Sequence, residues 1–308
     1  MDEVKRPPVL IPHLALLVVT SVYGASYFIS KAVFEAVHPF ALVVIRSVSV
    51  TIMMWLLASW RAPKESIQNK ADWGRLVLCG LSGASINQLL FYLGLSFTFQ
   101  VNASILMTFS PIFVFITAFF LKTERLTGRK ILGLVLAGIG AVLISLNGRR
   151  PELGMETVLG DVLVLINAAS YGVYLVLVQP LLRRYHLLTV IKWVFLFGAV
   201  NNLIWGLPSF LEIEWGSLGP DILGGIAFVV LGATFLVFLL NSWALQYVPA
   251  SAVSIYIYLQ PVIVAIAAEF LKIERLTTTK LLLIGLVIIG VYVATYRKKK
   301  PQTIRNSA

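Results

Sequence analysis

Residues 121–130 read LKTERLTGRK, and residues 271–280 read LKIERLTTTK. Seven of the ten positions are identical: Leu121/Leu271, Lys122/Lys272, Glu124/Glu274, Arg125/Arg275, Leu126/Leu276, Thr127/Thr277 and Lys130/Lys280. The offset is 150 in a chain of 308 residues, so the halves read as a duplication. The register holds outward from this stretch. Pro111 pairs with Pro261, Ser104 with Ser254, Leu95 with Leu245 and Gly140 with Gly290 at the same spacing. Tyr23-Gly24 pairs with Tyr171-Gly172 at an offset of 148, and Val44-Ile45-Arg46 with Val190-Ile191-Lys192 at 146. Small length changes in the intervening loops account for the drift. Hydrophobic bias alone does not produce matches that include Lys, Glu, Arg and Pro.

Hydrophobic residues make up 58% of the chain and charged residues 13%, with a mean hydropathy of +0.88. A soluble domain carries about 25% charge, so most of this chain belongs in lipid. A spanning helix needs about 20 mostly apolar residues. Ten segments qualify, near 11–33, 40–60, 75–97, 102–121, 129–147, 158–180, 188–211, 222–246, 250–271 and 280–296. The runs are continuous rather than alternating, which argues against a strand-based barrel. The expected fold is therefore an all-α membrane protein of ten transmembrane helices, arranged as two five-helix repeats around a central cavity. The first repeat covers residues 1–150; the second covers 151–308 and ends in a basic tail. Five spans per half is an odd number, so the second copy is turned upside down relative to the first. Inverted repeats of this kind hold their site near the bilayer midplane, between the halves.

Lys and Arg set the orientation. Lys5, Arg6, Arg61, Lys64, Lys70, Arg75, Lys122, Arg125, Arg129, Lys130, Arg183, Arg184 and the tail from Arg297 through Lys300 to Arg305 fall on one side. Arg149, Arg150, Lys272, Arg275 and Lys280 fall on the other. The positive-inside rule places both termini in the cytoplasm, and the expected location is the plasma (bacterial inner) membrane. The formal charge of +11 is explained by these loops and by a tail attracted to anionic lipid, not by nucleic acid. No cleavable signal is expected, because Met1–Pro12 is polar and the first apolar run is long enough to span. The single Cys79 excludes an internal disulfide, and His13, His38 and His186 are scattered. No metal, cofactor or catalytic residue is expected.

Side chains that hydrogen-bond are costly against lipid and should face inward. On the first span Tyr23 and Tyr27 stand one turn apart, as do Asn167 and Tyr171 on the sixth and Ser104 and Thr108 on the fourth. The third span offers Asn87, Gln88 and Tyr92, the eighth Thr234 and Asn241. The ninth offers Ser254, Tyr256, Tyr258 and Gln260. Together they would line an aromatic, polar and nearly uncharged cavity suited to a neutral or zwitterionic solute with an apolar body, such as an amino acid. The competing reading is that they bind helix to helix, as Ser, Thr, Asn and Gln commonly do in membranes.

Pro111 and Pro261 sit mid-span at matched positions, where proline removes a backbone bond and kinks a helix. Arg46 and Lys192 lie inside spans two and seven and read as structural charges, holding a helix terminus or a gate. Asp161, Glu269 and Glu35 lie only at span ends, which weakens any buried-carboxylate proton relay. Gly133, Gly138, Gly140, Gly285 and Gly290 give smooth faces for helix packing or dimer contacts. The Asn102-Ala103-Ser104 sequon opens an apolar span and reads as chance.

The paired Tyr-Gly motifs, Arg46, the segments 102–111 and 252–261 and the tandem Glu-Arg-Leu turns together resemble the drug/metabolite transporter superfamily, in its EamA-type branch of ten-span carriers. The likeness covers nearly the whole chain; it departs at Tyr23, where many relatives carry Trp. It implies a basket built from spans 1, 3, 4, 6, 8 and 9, with spans 5 and 10 peripheral, and export of amino acids or related metabolites. The expected function is thus a secondary carrier working by alternating access on a small-molecule substrate, as a monomer or homodimer in the bilayer. A nucleotide-sugar or drug carrier of the same fold is the alternative. An intramembrane enzyme would need a His-Glu-x-x-His, Asp-rich or Gly-x-Ser-x-Gly constellation, and the sequence has none. A binding protein without transport would leave the inverted duplication unexplained.

Overall fold

The structure, a computed structural model, describes residues 7–8, 10–98, 100–124, 127–146, 155–270 and 277–295. Arg125, Leu126 and Lys272 through Leu276 lie outside them, as do Arg149, Arg150 and the Arg297–Lys300 tail. Every regular element among the described residues is helical: α1 (Leu10–Val33), α2 (Pro39–Arg61), α3 (Lys70–Phe97), α4 (Gln100–Met107), α5 (Ser110–Phe120), α6 (Gly128–Leu146), α7 (Met155–Arg184), α8 (Leu187–Leu211), α9 (Pro220–Tyr247), α10 (Ala250–Ile255), α11 (Leu259–Phe270) and α12 (Thr278–Thr295). Seven helices are long and apolar enough to cross a membrane, and the shorter apolar segments Ile105–Phe120 and Ala250–Ile263 join them. Large apolar side chains face outward around the bundle, among them Phe120 at 74% and Ile204 at 68% exposure. A soluble protein does not leave so much apolar surface in water; here lipid covers it.

Local signals explain the helix ends. His38 caps α2 by accepting from the Phe40 amide at 3.3 Å, with Pro39 at the first helical position. His186 caps α8 in the same way, through the Leu188 amide at 3.3 Å. Capping satisfies an amide that the first helical turn leaves unpaired, and proline fits there because its missing N–H is not needed.

Two departures from ideal helix recur about 150 residues apart. The hydrogen-bond ladder widens to the π form at Gly80–Ser85 in α3 and at Phe228–Leu236 in α9. The chain breaks between Met107 and Ser110, and tightens to a 3₁₀ turn at Tyr256–Tyr258. A kink at Pro111 and Pro261 themselves was the expectation. Instead Pro111 is the second residue of α5 and Pro261 the third of α11, each just after the break. A proline that cannot donate is tolerated in a first turn and costly further in.

The helices pack with a matching internal order. Near the end of α8, a Cβ at Gly206 would lie 2.7 Å from the Phe40 carbonyl oxygen at the start of α2. At the other end, Trp193 of α8 meets Trp55 of α2 with ring centroids 5.2 Å apart. So α2 and α8 run antiparallel. The helices α6 and α12 also run antiparallel, Gly133 facing Gly290 and Ala294, and Gly140 facing Leu283 and Val287. A Cβ at Gly290 would stand 2.4 Å from the Ala137 nitrogen, which is closer than atoms tolerate. Gly290→Ala is therefore expected to push α12 off α6 and cost about 1–3 kcal/mol as overpacking. A lowered thermal midpoint in detergent checks this, and an unchanged midpoint refutes it.

Candidate functional site

The Tyr-Gly pairs bring the helices close enough to form a site. A Cβ at Gly24 would stand 3.0 Å from the Ile263 side chain, so α1 lies tight on α11. A Cβ at Gly172 would meet Phe113 at 2.8 Å, so α7 lies tight on α5. Each glycine places its preceding tyrosine at the edge of a cavity between the two halves of the chain. The cavity holds about 520 Å³ of empty space, counted to its open mouth. Its wall is Tyr23, Ser26, Tyr27, Arg46, Asn87, Gln88, Phe91, Tyr92, Met107, Asn167, Tyr171, Ala233, Ile257 and Gln260.

A continuous polar chain runs along this wall. Arg46 Nη1 donates to Gln88 Oε1, and Gln88 Nε2 donates to Asn87 Oδ1 at 2.7 Å. Asn87 Nδ2 then donates to the Asn167 side-chain and backbone oxygens, and Asn167 Nδ2 to the Met107 sulfur at 3.0 Å. On the far wall the Tyr27 hydroxyl donates to Gln260 Oε1 at 3.1 Å. Asn241 Nδ2 donates to the Tyr171 hydroxyl at 3.0 Å from outside the wall. These bonds cross between α3 and α7, α1 and α11, and α7 and α9. The polar groups therefore both hold the helices and present their remaining edges to the cavity.

The expected residues divide. Tyr23, Tyr27, Asn87, Tyr92, Asn167, Tyr171 and Gln260 meet in the wall, while Asn241 stands behind Tyr171. Thr108 does not line the cavity; it stands in the break after α4, and its hydroxyl donates to the Ile105 carbonyl oxygen of that helix. Tyr256 lies instead against His13, with 2.8 Å between its hydroxyl and Nδ1. Tyr258 fills the space over Gly138, where a Cβ would be 3.2 Å from its hydroxyl. The side chain of Ser104 lies outside the described residues.

The two paired cations also divide. Arg46 joins the wall, its Cζ 4.9 Å from the Tyr92 ring centre, so the wall carries one formal positive charge. Lys192 sits 5.0 Å from the Trp55 ring centre, in the cluster Trp55–Trp193–Trp73. Trp belts of this sort mark the membrane–water boundary. Of the wall residues not singled out, Ser26 and Phe91 carried a usable signal: Ser26 is one turn from Tyr23 and Phe91 is adjacent to Tyr92. Met107, Ala233 and Ile257 are apolar and carried none.

The π segments are pinned from neighbouring helices. Ser85 donates to Asn202 Oδ1 at 2.6 Å, Asn201 donates to the Ser85 hydroxyl at 2.7 Å and Asn202 to the Ala84 carbonyl at 3.0 Å. In the second half, Arg46 Nε donates to Thr234 Oγ1 at 2.9 Å, and Thr234 to the Val229 carbonyl at 2.6 Å. Widened turns leave carbonyls without their usual partners, and these side chains supply replacements. Helix C-termini are clamped in matching fashion. Lys31 Nζ bonds the Leu95 carbonyl at 2.8 Å and Gln179 Nε2 the Val248 carbonyl at 2.8 Å.

One end of the bundle carries polar clamps between the halves. Asp72 accepts from Arg184 and, at 2.9 Å, from Tyr185. Glu124 accepts from the Ser251 amide at 3.1 Å, the Ser251 hydroxyl and Lys130 Nζ at 2.8 Å. It thereby caps α10 and ties the α5–α6 connection to the second half. Burial pushes the Glu124 carboxyl up, but the bonds from Lys130 and Ser251 outweigh it and hold its pKa below the ordinary carboxylate range. A group with a depressed folded pKa stabilises above its unfolded pKa and loses that contribution as pH falls through the folded value. Glu124→Gln should therefore lower the thermal midpoint at neutral pH, the lost charged hydrogen bonds costing about 1–3 kcal/mol of stability. The gap to the wild type should shrink as the medium is acidified below the ordinary carboxylate pKa. A gap that stays constant with pH refutes the assignment.

Among the described residues no group of three or more His, Cys, Asp and Glu could hold a metal. The wall offers no paired acid and base or activated nucleophile; it can bind and orient a solute.

The family model described as the EamA-like transporter family matches the chain twice, over residues 10–146 and 158–296. An uncharacterized transporter of Archaeoglobus fulgidus is 25% identical, covering 93% of this chain and 98% of its own. The transporter YoaV of Bacillus subtilis is 23% identical over 92% and 96%. A WAT1-related protein of Arabidopsis thaliana is 26% identical over 70% and 66%. A solved crystal structure shares the fold with a TM-score of 0.73 at 17% identity, covering 93% of this chain and 95% of that one. The family and these relatives are transporters, not enzymes. With the family's pattern present twice across most of its length and an apolar helical bundle around a polar cavity, the chain belongs to the EamA-like transporter family and is a multi-pass membrane transporter.

Proposed function

We propose that the protein is a secondary carrier that moves small metabolites, such as amino acids or related amphipathic solutes, out of the cell by alternating access. The units that rock are residues 1–150 and 151–308, each a five-span repeat, head-to-foot in the plasma membrane with both termini in the cytoplasm. The molecule works as a monomer or homodimer, and its solute contacts come from Tyr23, Tyr27, Asn87, Tyr92, Asn167, Tyr171 and Gln260. Export is taken from the family resemblance.

One observation carries this reading: the aromatic and amide-lined cavity lies between the two sequence repeats. Support comes from the antiparallel packing of the counterpart pairs α2 with α8 and α6 with α12. The matched π segments and helix breaks around the cavity add to it. Non-ideal helices at duplicate positions are where carriers of this design hold their solute. Purified protein in liposomes should exchange a labelled amino acid or amphipathic metabolite faster than empty liposomes. Absence of flux across a broad metabolite panel overturns the reading. Reporters fused to the two termini should both give cytoplasmic signals; a periplasmic signal from either breaks the ten-span arrangement.

A further inference from the structure

Arg46 is 3% exposed and stands in the cavity wall with only neutral partners. Its Nε donates to Thr234, its Nη1 donates to Gln88, and Tyr92 presents its ring face. The salt bridges among the described residues join Arg75 and Arg184 to Asp72 and Lys130 to Glu124; none includes Arg46. No Asp or Glu lies in the wall. Nη2 makes no hydrogen bond to a described residue, so this edge of the fork is available to the cavity.

A buried lysine can reduce its cost by releasing a proton, but a guanidinium stays charged. A buried charge with only neutral partners is costly, and costlier still at membrane depth. The hydrogen bonds that Arg46 donates to Thr234 and Gln88, and the Tyr92 face, offset part of that cost without neutralising the charge. The planar guanidinium is shaped for an oxyanion, and a carboxylate is the commonest such group on a small metabolite. The other half supplies no counterpart, because Lys192 is held outside the cavity on the Trp55 ring. The cavity is therefore electrically one-sided: a cation on the α2–α3 wall, and aromatic and amide groups elsewhere.

We propose that Arg46 is the recognition point for a carboxylate on the transported solute. The solute is an amphipathic organic acid, or an amino acid held by its carboxylate, with an apolar body against Tyr23, Phe91 and Tyr171. This inference rests on the carrier reading and adds to it the charge of the cargo. Solutes that are purely cationic are rejected, since the wall holds no carboxylate to receive them and Arg46 repels them.

Thermal unfolding of the purified full-length protein in detergent tests the inference through ligand stabilisation, which follows ligand concentration over its dissociation constant. The probes are matched pairs: N-acetylphenylalanine against N-acetylphenylalaninamide, and N-acetylleucine against N-acetylleucinamide. Sodium chloride at the same ionic strength controls for small anions. The acids should raise the midpoint at concentrations at least about tenfold lower than their amides, the ratio for about 1.4 kcal/mol of discrimination. Arg46→Gln should erase that difference. Thr234→Val, which removes the Nε bond but keeps the charge, should preserve it and guards against an Arg46→Gln variant that does not fold. The inference is overturned if amides match acids, if neither class shifts the midpoint, if chloride alone gives the same shift, or if Arg46→Gln keeps the preference. Flux of neutral solutes with no preference for acids would leave the carrier standing while this inference falls. Acid binding without flux of any solute would do the reverse.

Discussion

Replacing Asn167 by Leu is expected to cut transport by about 5- to 150-fold while leaving membrane insertion intact. Asn167 is 1% exposed and links Asn87 to Met107 in the chain that starts from Arg46 and Gln88. Leucine matches its size closely but offers no polar atom. The Asn87 amide would then keep only its longer bond to the residue 167 carbonyl, 3.3 Å. A buried donor stripped of its partner costs about 1–3 kcal/mol, which converts to the stated range in a rate or affinity. Because lipid still covers the outer faces, span insertion does not depend on this bond. Flux into liposomes, normalised to protein recovered from the membrane, provides the measurement. Wild-type flux would mean that this face of α7 only holds helices together.

The second large effect concerns motion. A Glu124→Cys/Ser251→Cys pair, once oxidised or bridged by a short thiol cross-linker, should lose nearly all flux and regain it on reduction. Glu124 ties the α5–α6 connection of the first half to the start of α10 in the second. In the proposed alternating-access cycle, rocking of the halves would open and close this contact once per turn. A covalent bridge removes one of the two states and with it the cycle. Cys79 is fully buried and offers no competing thiol. Each measurement is referred to the same double variant in its reduced form, which controls for loss of the native clamp. Undiminished flux through the bridged protein would show that the two halves do not separate here.

Much of the helical layout could be read from composition and spacing. Each of the ten apolar segments is helical through its described part apart from the terminal Leu121, interrupted only by the breaks before Pro111 and Pro261, because a helix satisfies the backbone within one segment when water is absent. The Tyr-Gly pairs were legible as matched members of the duplication; the close helix contacts at Gly24 and Gly172 come from the structure. The π turns in α3 and α9 left no such trace. They depend on whether Asn201 and Asn202 reach Ser85 and Ala84 in α3, and Arg46 reaches Thr234 in α9, from other helices, and no local pattern reports that reach.

The site shows the same division. Tyr23 and Tyr258 are one residue type in one kind of apolar span, yet one borders the cavity and the other fills the gap over Gly138. Arg46 and Lys192 occupy matched places in the duplication, yet one enters the cavity and the other rests in the tryptophan belt. Hydrophobicity and periodicity, acting through the cost of placing backbone and charge in lipid, were enough to establish a duplicated helical membrane protein and the families of side chains turned away from lipid. Which of those side chains meet around empty space, and that a single guanidinium stands among them, follows from how helices remote in the chain close on one another. That closure depends on glycine contacts and cross-helix hydrogen bonds between residues up to 243 positions apart, a distance over which sequence spacing carries no geometric information.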